Sequence, residues 1–149
     1  MPSVADRPVL PPTGVAARDL VHTARRGLLD AALADRPAER YAAAHLCALR
    51  AAAAVLAARA RPASARRRPS SVWSLLPDVA PELVEWAGFF AAGAGKRAAA
   101  EAGLDHVVTA READDLMREA DLFLSLVETT LGLDHERVGL RLPFELRTG

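Results

Sequence analysis

The chain has 149 residues, of which 51% are apolar and 26% charged, with 19 basic side chains against 19 acidic ones. That length suits one domain around one hydrophobic core, and the zero formal charge excludes a global pull towards nucleic acid or membrane. Cys47 is the single cysteine, which excludes an internal disulfide and a cysteine-based zinc cage.

Alanine occupies 33 positions. It gives up no side-chain entropy in a helix and is the best helix former, so the composition predicts an all-α fold. Alanine also buries little area, so the core must rely on close helix–helix approach and a few Leu, Phe and Trp side chains. Of the basic residues 18 are arginine and only Lys96 is lysine. With the alanine excess this has the look of a GC-rich coding bias, which lowers the weight any single arginine carries.

In chain order, residues 1–13 are proline-rich and read as an N-terminal arm. A helical domain is expected over 14–132, and a tail with some extended character over 133–149. Leu20, Val21, Ala24, Leu28 and Ala31 recur at three- and four-residue steps, the stripe of a first helix with one buried face. Pro37 suits the first turn of a second helix, running from about Ala38 to Ala60 with Tyr41, His45, Leu49, Ala52 and Leu56 on one side. Residues 61–71 (RPASARRRPSS) are a break.

Val72 to Ala80 predicts a short helix, and Pro81 opens the next, with Leu83, Trp86, Ala87, Phe90 and Ala94 inward. Trp73, Trp86, Phe89 and Phe90 supply the core's bulk. Thr109 and Glu112 have the spacing of a capping box, in which each satisfies an amide the first helical turn leaves free. From there Ala113, Leu116, Met117, Ala120, Phe123, Leu124, Val127 and Leu131 form a continuous stripe, with Gly132 as the stop. Leu122 and Leu126 fall beside the stripe, making the apolar face wider than one neighbour needs. The pattern adds up to a bundle of four to five helices.

No apolar run is expected to approach the roughly 20 residues of a membrane span. Met1 to Leu10 carry Asp6, Arg7 and two prolines, unlike a secretory signal. A cytoplasmic protein without a membrane partner is therefore expected.

Charge is uneven along the chain. Arg40 to Pro77 contain seven arginines and no acid, and Glu101 to Glu136 contain ten acids and two bases. Solvated faces of a bundle, a local phosphate site and head-to-tail association all fit that pattern. Arg66, Arg67 and Arg68 are the candidate phosphate contacts if nucleic acid binds. His22, His45, His106 and His135 do not pair at metal-ligating helical spacing, and no glycine-rich phosphate loop or nucleophile elbow occurs. Neither metal nor cofactor is expected.

What chemistry there is centres on Arg40 and His45. Arginine can hold a phosphate in a fork of donors, and histidine can take a proton from a ribose 2′-hydroxyl near neutral pH. Together they would support metal-independent RNA cleavage to a 2′,3′-cyclic phosphate, with Arg40 stabilising the developing charge. Five residues rotate a helix by about 140°, so the pair must converge through arginine's reach or across a two-fold axis. The alternative is a hydrogen-bonded core histidine and an exposed first-turn arginine.

Three segments, 39–62, 71–103 and 109–128, resemble the HEPN superfamily, and within it a small stand-alone family common in actinobacteria. The resemblance spans roughly residues 15–131. It implies an up-and-down helical bundle that commonly forms a homodimer, in which an arginine and a histidine meet at the dimer interface. Carried over, Arg40 would stabilise phosphate and His45 would be the general acid/base. RNA, a nucleotide or a partner protein are the ligands it implies. Active members often have a polar residue after the arginine, where this chain has Tyr41. The other reading of the chain is a non-catalytic interaction module using the wide apolar face around Leu122 and Leu126.

Overall fold

The computed structural model describes residues 14–59 and 71–133. These form an all-α, up-and-down bundle of five helices: α1 (Val15–Ala32), α2 (Pro37–Arg59), α3 (Val72–Val79), α4 (Val84–Glu101) and α5 (Ala110–Thr130). Short 3₁₀ turns at Pro81–Leu83 and Asp105–Val107 precede α4 and α5. The N-terminal arm, the arginine-rich break with Arg66, Arg67 and Arg68, and the tail from 134 onward lie outside the described residues.

α2 is the central element and packs against α1, α3, α4 and α5. Its burial corrects the one-sided stripe expected from sequence. Ala38, Tyr41, Ala44, His45, Cys47, Ala48, Ala51, Ala52, Ala54 and Val55 are buried, while Leu49 and Leu56 are only half-buried. The reason is size. Alanine lets a neighbouring helix approach closely on several sides, so α2 is surrounded and has no single apolar face. The same composition overturns the expectation about apolar length, because α2 is long and apolar enough to cross a membrane by those two measures. That stretch is half buried against the rest of the bundle.

Helix ends follow local chemistry. Glu112 N–H donates to Thr109 Oγ1 at 3.0 Å and Thr109 N–H donates to Glu112 Oε1 at 3.1 Å, completing the capping box of α5. Gly132 adopts φ +74°, closing α5 while Leu133 N–H donates to Glu128 O at 2.7 Å. This turn tucks Leu133 into the core, so the residue expected to begin the tail belongs to the packed domain.

The bulk of the core is an aromatic cluster. Trp73 stacks on Phe90 with centroids 5.2 Å apart, and Phe123 of α5 lies 5.2 Å from Phe90 and 5.4 Å from Trp86. Phe89 does not join it as expected: it is 48% exposed and meets only the edge of Phe90. A position beside Phe90 on a helix turns about 100° away from it, here towards solvent.

Candidate functional site

His45 sits on α2 beneath the aromatic cluster and is 0% exposed. Its Nε2 lies 2.8 Å from the backbone carbonyl oxygen of Phe90. That carbonyl can only accept, so Nε2 carries the proton and Nδ1 is left as an acceptor, buried and without a protein partner. The rings of Trp73 and Phe90 present edges to the imidazole, each 5.9 Å away. Burial pushes the ring's pKa below the usual histidine value, and nearby Arg97 pushes the same way against the bond to Phe90.

Arg40 is one turn into α2 and points elsewhere. Its Nη2 and Nε donate to the carbonyl of Ala34, at 2.9 and 3.3 Å, and Nη1 pairs with Asp114 Oδ1 at 2.7 Å. The guanidinium thus clamps the end of the α1–α2 connection to α5, with 19% of its side chain exposed. Within one chain the structure does not bring Arg40 and His45 to a shared phosphate position. His45 stands where the core reading puts it. Arg40 is partly covered and ion-paired, which the alternative of an exposed residue does not anticipate.

What the structure does assemble around His45 is a cleft between α4 and α5, floored by α2. Tyr41, His45, Phe89, Phe90, Ala92, Gly93, Lys96 and Leu116 line a volume of about 280 Å³. Gly93 makes the crossing of α4 over α2 possible, since a Cβ there would stand 2.8 Å from the Tyr41 hydroxyl and 3.4 Å from His45 Cδ2. Lys96 at the rim pairs with Glu112 of α5. The Tyr41 phenol is raised in pKa, chiefly by burial.

Sequence reasoning picked out Tyr41 and His45 but missed Gly93, Lys96 and Leu116 as their neighbours. By sequence, Gly93 and Gly95 either weaken their helix locally or allow a close neighbour; the packing gives Gly93 the close neighbour and leaves Gly95 open. A second missed feature joins α1 to α5. Arg25 pairs with Asp121 at 2.5 Å and with Glu128, and reaches Ser125 Oγ at 3.3 Å. Cys47 behaves as a small buried apolar group, its thiol pushed up to about 11 by burial.

A family model described as SAV_6107-like HEPN matches residues 31–128, nearly two-thirds of the chain and all but the first helix and the very end of the last. The chain belongs to the SAV_6107-like HEPN family. The match contains both Arg40 and His45 and all of the cleft, so the features above are set within the HEPN domain itself. No curated protein and no solved structure matches the chain.

Proposed function

We propose that this HEPN domain is a non-catalytic interaction module that assembles through the outer face of α5. The observation that carries the reading is the exposure of two leucines one turn apart, Leu122 at 58% and Leu126 at 39%. Large apolar side chains grouped on one helix face gain about 1.5–3 kcal/mol each when fully covered, and such grouping marks interaction surfaces. Their neighbours Leu124 and Val127 already fill the monomer's own core. The outward pair is therefore free for a partner, first of all a second copy of the chain.

The enclosed imidazole supports the same reading against RNA cleavage by Arg40 and His45. A general base must come within hydrogen-bond reach of the proton it takes, and atoms of its own chain cover both ring nitrogens of His45, Nε2 held by the Phe90 carbonyl and Nδ1 enclosed. A second copy docked on the surface would leave that cover in place.

The test is the mass in solution of the wild type, Leu122→Glu and Leu126→Glu. The wild type is expected above the monomer mass of 15.8 kDa, and both variants at it with unchanged helicity. Equal masses for all three proteins would overturn the proposal.

A further inference from the structure

We propose that the cleft between α4 and α5 binds a small planar aromatic molecule carrying a carboxylate. The site is separate from the α5 leucines and does not depend on assembly through them. Three features of the cleft carry it.

The first is shape and lining. At about 280 Å³ the cleft lies at the lower end of small-molecule sites, which are mostly apolar with a few placed polar groups. Phe89 and Leu116 form its apolar walls from opposite helices, and Phe89 keeps 48% of its surface exposed. A ring between them would cover apolar area that the protein alone leaves wet. The volume admits one or two fused rings.

The second is an unused donor. Tyr41 lines the cleft and is nearly buried. Its hydroxyl makes no hydrogen bond to a described residue and is not sealed from solvent, so its proton is open to an acceptor in the cleft. Gly93 lets α4 come close to this oxygen, since a Cβ there would stand only 2.8 Å away.

The third is the cation at the rim. Lys96 lines the same cleft and pairs with Glu112. One carboxylate occupies one of an ammonium's three donors, so Lys96 can bridge to a second acceptor while neutralising Glu112. Two donors, Tyr41 Oη and Lys96 Nζ, thus serve one apolar cleft. The complementary ligand is a flat apolar body with an anionic acceptor head. Lys96 is joined by no arginine in the cleft lining, which gives no match for a polyphosphate.

The full chain, ¹⁵N-labelled, would be titrated with 2-naphthoate and with its neutral counterpart 2-naphthalenemethanol, reading the Gly93 amide and the Tyr41 ring by NMR. Saturable shifts are expected at both residues, with the carboxylate binding about tenfold more tightly. Lys96→Gln, a change at the rim, should erase that preference and leave the alcohol's affinity in place. Ala92→Trp, placing bulk on the exposed cleft wall, should weaken both ligands without changing helicity. The proposal is overturned if neither compound gives saturable shifts at Gly93 and Tyr41, if both bind equally to the wild type, or if Lys96→Gln keeps the preference.

Discussion

The imidazole of His45 donates from Nε2 to the carbonyl of Phe90 across 2.8 Å, tying the middle of α2 to α4 at the point where Gly93 lets the two helices meet. An α-helical carbonyl already accepts one bond from its own helix, and its second lone pair takes the imidazole proton. The contact satisfies one ring nitrogen and leaves the other as an enclosed acceptor. It gives His45 a structural role that a surface acid/base histidine would not have.

The tautomer follows from that contact. ¹⁵N spectra of the histidine rings should show His45 as the neutral Nε2–H form at pH 7. A His45 spectrum with the proton on Nδ1 would mean that the bond to Phe90 is not made.

Stability should depend on pH through the same ring. Burial lowers the folded pKa of His45, so below the usual value of about 6.5 the unfolded chain binds a proton that the folded one refuses. The contribution is fully present above that value and is lost as pH falls from it towards the lowered folded pKa. Urea midpoints measured from pH 8 down to pH 5 should fall, and His45→Leu should flatten the slope in that window. An equal slope in the variant would assign the effect to other groups.

Gly93 and Tyr41 should be coupled. Alanine at position 93 gains helix propensity but sets its Cβ 2.8 Å from the Tyr41 hydroxyl. Comparing Gly93→Ala in the wild type and in Tyr41→Phe cancels the propensity. The alanine should be better tolerated beside phenylalanine by about 1 kcal/mol, within the range for residues in contact. Additive effects in chemical denaturation would show that the approach is looser than the geometry gives.

Arg25 should matter more for stability than its neighbour Arg26 on α1. It holds Asp121 and Glu128 of α5, and Glu128 is buried. Arg25→Ala leaves those carboxylates without their cation, a change that costs about 3 kcal/mol when a buried pair is broken. Arg26→Ala, at an exposed position on the same helix, should stay within about 0.5 kcal/mol. Comparable losses in the two variants would deny the Arg25 network its role.

The capping box offers a smaller and cleaner test. Thr109→Ala removes the oxygen that accepts from Glu112 N–H and should cost about 1 kcal/mol, read as a lower denaturation midpoint. Thr109→Ser, which keeps an oxygen there, should recover most of it.

The sequence by itself determined the helices and their stops, because alanine content, the Thr109–Glu112 spacing and Gly132 act through backbone chemistry within a few residues. It also carried the HEPN family, whose model matches residues 31–128. Leu122 and Leu126 were legible as surplus to the α5 stripe for the same local reason, since helical periodicity alone sets them outside it. What lay beyond it was which way α2 faces. An alanine-rich helix has no marked apolar side, so neighbours packing around it decided that His45 is enclosed and Arg40 turns to Asp114. The cleft was equally out of reach: Tyr41, Gly93, Lys96 and Leu116 come from three helices, and only their crossing puts a phenol, a lysine and a missing side chain together. Local rules act on neighbours along the chain, whereas burial and convergence belong to residues that packing brings together from far apart in it.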